Sequence, residues 1–272
     1  MCKIKNILKD IVKPVLQLLL LVVTFCVIVY IYEKAIDKLQ SIEIDIIGVD
    51  WYYLIRLPKY ILALLAVYGV LVNLRKRNSE SIINKGNRYH LTGYFYYWIC
   101  SKILGFKKCS LILVPIYLQF KLTINSVFEE YRVGNDDDYR KIEDEEISVK
   151  VKFNNNKYTK EVNLILIDTY DITYTQIPKD KHNLTTINIS RKDVDGIRSY
   201  SPNFIYKITE EVRKLPYCVK KINIYATTNP KHTELIARNV FQLGNRGNIE
   251  SLIVFQQKSS GKRIFDKGYK IY

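Results

Sequence analysis

The feature that constrains this chain most is an apolar run close to its N-terminus. Residues 15–32 read VLQLLLLVVTFCVIVYIY, in which Gln17 and Thr24 are the clearly polar side chains. As a helix this run would extend about 27 Å, close to the thickness of the hydrocarbon core of a bilayer. Lysines precede it, as in a signal peptide, but residues 30–33 (YIYE) offer no small-x-small cleavage site. We therefore predict an uncleaved membrane-spanning helix.

A second apolar run, at residues 60–74, is shorter. Aromatic and basic residues come just before it, among them Trp51, Arg56 and Lys59. Aromatic rings favour the membrane interface, and long basic side chains can reach the head groups from inside the apolar layer. The pattern predicts a second span over about residues 53–74. A helix that lies on the membrane surface is the alternative interpretation.

The distribution of charge predicts the orientation of the two spans. Four lysines precede the first span, and Arg75, Lys76 and Arg77 directly follow the second. The loop between the spans, residues 34–50, holds more acidic than basic side chains. Because cytoplasmic flanks carry the excess of Lys and Arg, both termini are expected in the cytoplasm. The sequence thus predicts a multi-pass protein of the inner (cytoplasmic) membrane.

We divide the chain into a two-helix membrane region, residues 1–77, and a cytosolic domain, residues 78–272. The domain is predicted to begin with a polar linker at residues 78–90. The net charge of the chain is +15. Residues 85–272 hold 31 basic and 20 acidic side chains, so the domain carries most of this charge. Such a balance favours anionic partners such as phospholipid head groups or nucleotides, although biased codon usage is an alternative source of lysine.

Cysteine and histidine usage indicates neither a disulfide framework nor a metal site. The five cysteines are scattered and include no C-x-x-C pair. The three histidines, His90, His182 and His232, are far apart in the sequence. We expect a reduced domain without metal or cofactor.

Two segments follow the linker before a regular pattern begins. Residues 91–104 (LTGYFYYWICSKIL) are crowded with aromatic side chains. They are typical of a helix, either at the membrane surface or buried in the domain. Residues 110–125 (SLILVPIYLQFKLTIN) are apolar and rich in β-branched residues. This composition predicts one or two strands, interrupted near Pro115.

A regular alternation of strands and helices predicts the fold of the remaining chain. The predicted strands are residues 148–153, 161–168, 183–190, 219–226 and 250–256, and the predicted helices are residues 204–215 and 233–243. Residues 183–256 therefore read β-α-β-α-β. Short apolar strands joined through helices indicate right-handed crossovers and a parallel sheet. The predicted fold class is α/β: two transmembrane helices followed by a Rossmann-like parallel-sheet domain with additional strands.

In open sheets of this kind, ligands bind outside the carboxyl ends of the strands. Hydroxyl, amide and basic side chains come after three of the predicted strands, as expected of a site for an anionic ligand. The candidate ligand-binding residues are Ser190, Arg191, Lys192, Thr227, Thr228, Asn229, Lys231, His232 and Lys258. Ordinary helix capping by the Thr-Asn-Pro segment is the alternative explanation for part of this set.

Catalytic signatures are absent from the sequence. It contains no G-x-G-x-x-G, G-x-x-x-x-G-K-[ST], H-E-x-x-H or G-x-S-x-G pattern. Asp168, at the end of a predicted strand, is a candidate acid or base, although carboxylates are common at the starts of loops. We therefore predict a protein without enzymatic activity and assign no catalytic residue.

The C-terminal stretch resembles a known family. In residues 221–257 (KINIYATTNPKHTELIARNVFQLGNRGNIESLIVFQQ), a strand ends at Ala226, Pro230 follows, and a helix leads through a turn to an aromatic-bearing strand. This order resembles the last strand-helix-strand unit of SAVED domains, relatives of the CARF fold. SAVED domains sense cyclic oligonucleotides in bacterial anti-phage CBASS systems, and some are fused to two transmembrane helices. The resemblance covers about residues 183–260.

The resemblance implies a function for the whole chain. It implies a membrane effector of anti-phage defence that binds a cyclic oligonucleotide or similar anionic nucleotide, oligomerises and disrupts the membrane. Inner-membrane lipids and further copies of the chain are the expected partners. Two alternatives remain open: a membrane-anchored enzyme that acts on nucleotides or phosphorylated lipids, and a structural adaptor docked on lipid.

Overall fold

A computed structural model of the chain describes residues 2–40, 57–134, 139–142, 146–153, 158–191, 199–242, 247–258 and 261–272. The described chain divides into two compact units. The first, the membrane unit, holds the residues up to Ile83 together with Trp98–Lys108. The second, the sheet unit, holds Asn84–Tyr97 and Cys109–Tyr272.

Two long helices dominate the membrane unit, α1 (Cys2–Gln40) and α2 (Pro58–Ser79). Within them, Ile11–Lys38 and Pro58–Ser79 have the length and composition of membrane-spanning helices, and an 18-residue window of each has a mean hydropathy of 2.6 and 1.3, respectively. The first predicted span therefore lies inside α1. The second was predicted from residue 53, and residues 53–56 lie outside the described part of the chain. Its helix continues to Ser79 rather than ending at residue 74.

A reciprocal pair of amides joins α1 to α2. Gln17 Nε2 donates to Asn78 Oδ1, and Asn78 Nδ2 donates back to Gln17 Oε1, both at 3.0 Å. Asn78 Nδ2 also donates to the carbonyl of Leu104 at 2.9 Å. Polar groups on membrane helices gain from such pairing because the hydrocarbon offers no water. The prediction of a linker from residue 78 is thus wrong at its start, because Asn78 is a buried residue of α2.

An ion pair joins the C-terminal part of α1 to the start of α2. Lys59 Nζ lies 2.6 Å from Glu33 Oε1, and Lys59 is buried although it is charged. With Gln17 beside Asn78 and Glu33 beside Lys59, α1 and α2 run antiparallel. A buried charge is costly without a partner, so the ion pair helps to fix how the helices align.

Short elements come first in the remaining chain. Its helices are α3 (Tyr94–Trp98, continued by a wider π-type turn at Ile99–Ile103) and α4 (Ile116–Ile124). The early strands are β1 (Ile82–Ile83), β2 (Lys108–Ser110), β3 (Glu130–Arg132) and β4 (Arg140–Lys141). The prediction of strands across residues 110–125 is therefore wrong, because most of that segment is α4. Pro115 stands at its N-cap, where a missing N–H costs nothing.

The sheet unit is built on six strands in the order β11-β10-β9-β6-β7-β5. The strands are β5 (Ile147–Lys152), β6 (Glu161–Ile167), β7 (Thr185–Arg191), β9 (Lys221–Ala226), β10 (Ser251–Gln257) and β11 (Phe265–Lys270). The four inner strands are parallel, and Leu164 in β6 pairs with Ile187 on one side and Ile224 on the other. The edge strands β5 and β11 are antiparallel to their neighbours.

Helices cover one face of this sheet. They are α4, α5 (Pro202–Arg213) and α6 (Pro230–Ile236, continued by a π-type turn at Ala237–Phe241). Leu164, Ile224 and Phe204 lie in the large apolar core between the sheet and these helices. Burial of each such side chain stabilises the fold by about 1.5–3 kcal/mol.

The connection between β6 and β7 covers the opposite face. It contains short 3₁₀ turns at Tyr174–Gln176 and Lys179–Lys181 instead of a long helix. Ile165, Tyr225 and Phe255 form a second, smaller core there. The short pair β4 and β8 (Ser199–Tyr200) forms a separate parallel ladder. The predicted Rossmann-like α/β class is confirmed, and β11 is a strand that the sequence pattern did not indicate.

We predict that the Gln17–Asn78 amide pair couples the two membrane helices energetically. In a double-mutant cycle of Gln17→Ala and Asn78→Ala, the coupling energy should be about 0.5–1.5 kcal/mol, as for interhelical hydrogen bonds in membranes. Thermal unfolding of the full chain in detergent would measure it. The control cycle pairs Thr24→Val with Asn78→Ala, because the Thr24 hydroxyl donates to its own helix at Leu20. Equal coupling in both cycles would contradict the prediction.

Candidate ligand-binding site

The carboxyl ends of β10, β9, β6 and β7 meet at one edge of the sheet, as the parallel order requires. All candidate residues from the sequence except Lys192 lie in the described chain. Lys192 falls within residues 192–198, outside the described residues. We call this side of the sheet unit the carboxyl edge, and the residues directly after each strand set its chemistry.

Asp168, the first residue after β6, lies at the centre of a buried network. Its Oδ1 accepts from Arg191 Nη1 at 2.7 Å. Its Oδ2 lies 2.7 Å from His232 Nδ1 and accepts from the backbone N–H of Asn229 at 2.8 Å. Asp168 is 2% exposed, Arg191 4% and His232 0%. The ion pair is therefore sealed from solvent and held by hydrogen bonds from two neighbouring strand ends.

The environment of His232 fixes its tautomer. Its Nε2 lies 2.9 Å from the backbone nitrogen of Ser201, whose N–H can only donate. Nε2 is therefore the acceptor nitrogen, and the ring hydrogen on Nδ1 points to Asp168. Both ring nitrogens are used inside the protein, so His232 connects the end of β6 to the start of α5.

Asn229 organises the start of α6. Its Oδ1 accepts from the backbone N–H of His232 at 2.9 Å, which is N-capping, and its Nδ2 donates to the carbonyl of Ser199 at 3.0 Å. Arg191 Nη2 reaches the hydroxyl of the same Ser199 at 2.5 Å. The capping interpretation of the Thr-Asn-Pro segment is thus confirmed at Asn229.

The two threonines before Asn229 are also engaged within the protein. The Thr227 hydroxyl donates to the carbonyl of Tyr170 at 2.8 Å. The Thr228 and Thr233 hydroxyls lie 2.7 Å apart. The structure therefore brings together Arg191, Thr227, Thr228, Asn229 and His232, but as buried residues bonded to their neighbours. Their direct contact with a ligand stays a prediction.

The surroundings of Asp168 act on its pKa in two directions. Burial alone would raise the pKa of the carboxyl group. Hydrogen bonds from His232, the Asn229 backbone and Arg191 outweigh burial and hold the pKa below its ordinary value. Asp168 is therefore an ionised partner in a structural network, and its carboxylate is not accessible to solvent as a general acid or base.

Lys231 lies closer to the surface than this network. Its Nζ is 4.9 Å from the centroid of the Tyr200 ring and 5.5 Å from that of Tyr139, within the range of cation–π attraction. The β4–β8 ladder places Tyr200, and Tyr139 comes directly before β4. Ser190, on β7, is half-buried. The sequence analysis did not single out the tyrosines, because they come from a segment without strong periodicity.

Two clefts open on the sheet unit. One, of about 680 Å³, runs along α5 from Tyr200 to Arg213 and Lys214. The other, of about 490 Å³, lies where β10 ends and contains the last candidate residue, Lys258. Lys258 Nζ forms an ion pair with Asp266 Oδ2 at 2.9 Å. Among the described residues, no group of three or more His, Cys, Asp or Glu side chains is placed to hold a metal ion.

Two membrane-spanning helices and a Rossmann-like sheet in one chain define a two-span membrane protein with an attached α/β domain. The model of one protein family, the SMODS- and ubiquitin system-associated two-transmembrane (SUa-2TM) effector domain, matches residues 2–272. The chain belongs to this family. The predicted two-transmembrane effector is thereby confirmed.

Solved structures similar to the chain include two of a Cap4 receptor from Acinetobacter baumannii, described as containing a SAVED/CARF domain. One holds the cyclic trinucleotide 3′3′3′-cAAA and shares 8% identity with a TM-score of 0.43. The other holds 2′3′3′-cAAA and shares 7% identity with a TM-score of 0.45. Each match covers 65% of this chain but 42% of the receptor, so the chain spans less than half of the receptor's length. No curated protein matches the chain.

We predict that Asp168→Asn lowers the free energy of unfolding by about 3–5 kcal/mol, because the substitution leaves the Arg191 charge buried without its partner. Urea unfolding of the full chain in detergent would measure the change. The control is Glu250→Gln, which breaks the exposed Lys220–Glu250 pair of 3.1 Å and should change stability by less than about 0.5 kcal/mol. Equal effects of the two substitutions would contradict a central role for Asp168.

The same network predicts a dependence of stability on pH. The pKa of Asp168 is lowered in the folded chain, so its contribution is fully present above the ordinary aspartate value of about 4. The contribution is lost as pH falls through the lowered pKa. The stability difference between wild type and Asp168→Asn should therefore be constant from pH 5 to pH 7 and shrink below about pH 4. A difference that grows on acidification would refute this sign.

Proposed function

We propose that this protein is a membrane effector whose cytosolic domain binds a cyclic oligonucleotide or a similar anionic nucleotide. The observation that carries the proposal is the match of residues 2–272 to a two-transmembrane effector family. The resemblance of residues 183–260 to SAVED domains supplies the ligand class. On binding, the chain oligomerises and disrupts the membrane as part of bacterial anti-phage defence.

The charge of the domain and the chemistry of the carboxyl edge support an anionic ligand. The ligand lies over this edge, where Lys231 and Lys258 supply ammonium groups and Ser190 a hydroxyl. Tyr139 and Tyr200 flank Lys231. Tyr139 is buried, and Tyr200, which is half-buried, offers a ring to a base. A buried network beneath them holds the edge in place. It consists of Arg191, Thr227, Thr228, Asn229 and His232. The ligand contacts these residues when the edge rearranges. Lys192 belongs to the same proposed site.

The membrane arrangement is part of the proposal. The membrane region ends with α2 at Ser79 and the cytosolic domain follows it, with both termini in the cytoplasm and the chain in the inner membrane. Basic flanks on the cytoplasmic side contact anionic head groups there. A nucleotide made in the cytosol then acts on the spans through the domain to which they are attached.

The proposed effector works without catalysis. Asp168 and His232, the acid–base pair that the fold brings together, are bonded to each other and sealed from solvent. The hydroxyls of Thr227 and Thr228 are likewise committed to neighbouring groups. These contacts support a structural role for the network in a binding domain.

The central test is binding and membrane leakage by the full chain. Calorimetry in detergent would use cyclic di-AMP, cyclic di-GMP, cyclic GMP–AMP and cyclic tri-AMP, and dye release would use vesicles of phosphatidylethanolamine and phosphatidylglycerol. We expect one nucleotide to bind and to trigger release. Lys231→Ala should weaken binding about tenfold or more, because a charge-assisted contact to phosphate is lost. The control is Lys220→Ala, which removes the same charge. Lys220 comes directly before β9, at the edge of the sheet opposite the carboxyl edge.

Each alternative function has its own outcome in this experiment. If none of the four nucleotides binds, the proposed function is wrong. Turnover of the nucleotide, lost in Asp168→Asn or His232→Ala without loss of the fold, would indicate an enzyme instead. Salt-sensitive binding to the vesicles without any nucleotide effect would indicate a lipid-docked adaptor.

A further inference from the structure

The cleft at the end of β10 is lined by three tyrosines and two lysines among its residues. We call it the tyrosine cleft and define it by Tyr89, Tyr117, Gln256, Gln257, Lys258 and Tyr269. Its volume of about 490 Å³ falls within the range of small-molecule sites in proteins. Its walls come from separate parts of the sequence that the fold of the sheet unit brings together. Among the candidate residues, Lys258 is the one that it contains.

A pair of stacked rings forms the rigid wall of the cleft. The rings of Tyr117 and Tyr269 lie 3.6 Å apart between centroids and 9° from parallel. Tyr117 belongs to the first turn of α4 and Tyr269 to β11, so regular elements hold both rings. Tyr89 adds a ring that is 67% exposed. Aromatic faces held in this way are the usual platform on which proteins stack nucleobases.

Two amides in the cleft retain hydrogen-bonding capacity. Gln257 Oε1 accepts from the Tyr170 hydroxyl at 2.9 Å, and Gln256 Nε2 donates to the Gln257 carbonyl at 3.3 Å. Gln257 Nε2 and Gln256 Oε1 are shielded from solvent and have no hydrogen-bond partner among the residues that the structure describes. Rotation of these side chains into the cleft would present one donor and one acceptor to the polar edge of a base, and pairing them would remove the cost of leaving them unpaired.

The rim of the cleft is basic. Lys258 pairs with Asp266, and Lys267 is a second ammonium group whose Nζ lies 5.0 Å from the centroid of the Tyr269 ring. The lysines outnumber the carboxylate, so the rim favours an anion. A phosphate attached to a stacked base would lie within reach of flexible lysine side chains.

The backbone on the other side of the cleft is strained. Leu113 has a φ of 57°, in the left-handed region that a branched side chain rarely adopts. The Leu113 carbonyl accepts from the N–H of His90 at 3.0 Å, which helps to hold this conformation. Strained backbone of this kind is concentrated at ligand sites.

We propose that the tyrosine cleft binds one base of the nucleotide ligand. The base stacks on the Tyr117–Tyr269 pair, Gln256 and Gln257 recognise its polar edge, and Lys258 and Lys267 contact the phosphate. This inference rests on the proposed function, since it takes the ligand to be a nucleotide. It adds a site for base selection to the contact proposed at Lys231 and assigns Tyr117, Tyr269, Gln256, Gln257 and Lys267 to this added site.

Photolabelling of the wild-type protein tests the location directly. The full chain in detergent would be irradiated with 8-azido-AMP, and the labelled peptides identified by mass spectrometry. We expect labels on peptides that contain Tyr117 or Tyr269, suppressed by the cyclic nucleotide that binds best. Labels confined to peptides with Tyr139 or Tyr200 would overturn the assignment without affecting the proposed function.

Calorimetry of variants with the same four cyclic nucleotides tests the roles of the residues. Tyr269→Leu should weaken binding about tenfold, because the stacking face is lost. Gln257→Leu should reduce the ratio of affinities between adenine- and guanine-containing ligands towards one. Tyr217→Leu is the matched control, since Tyr217 is 87% exposed and lies outside the cleft. Thermal unfolding of each variant would confirm that it is folded.

The outcomes separate this inference from the proposed function. If wild type binds and both cleft variants bind unchanged, while Lys231→Ala is weakened, the tyrosine cleft is not the base site and the proposed function stands. If wild type binds none of the four nucleotides, both fail. An unchanged affinity ratio in a folded Gln257→Leu variant would by itself overturn base recognition by Gln257.

Discussion

The sheet unit depends on the buried ion pair between Asp168 and Arg191. Removing two charges from water costs several kcal/mol for each ion, and only a complete set of partners offsets this cost. Here the set is assembled from separate places: the end of β6, the end of β7, the loop after β9 and the first turn of α6. The carboxyl edge therefore forms as one unit, and the loss of a single member leaves a charge without compensation.

Much of the fold could be predicted from the sequence, because its apolar residues repeat with clear periods. The β-α-β-α-β order of residues 183–256 is present, with boundaries shifted by a few residues. The prediction of strands at residues 110–125 was wrong for a physical reason. Leu118, Phe120, Leu122 and Ile124 are all buried, so α4 is apolar on several sides and lacks the polar face by which a helix is recognised. Strand β11, which carries the charged residues Asp266, Lys267 and Lys270, gave no strand signal.

The proximity of the candidate residues was predictable from the sequence, and their contacts were less so. Parallel strands must end at one edge, and this rule brought Arg191, Asn229 and His232 together correctly. It could not show that these side chains satisfy one another, since that depends on rotamers and on Ser199 and Ser201, which come after an unpatterned segment. The tyrosine cleft is a different case. Its residues come from loops, from helix α4 and from strands β10 and β11, and several of these parts are far apart in the sequence.

His232 makes a mechanical connection as well as a chemical one. Ser201, which donates to its ring, is also the N-cap of α5, and the N–H of His232 belongs to the first turn of α6. The starts of two helices are thus joined through one imidazole to the same carboxylate. Displacement of either helix start would strain the hydrogen bonds that hold the other, so the two helices are coupled to each other at Asp168.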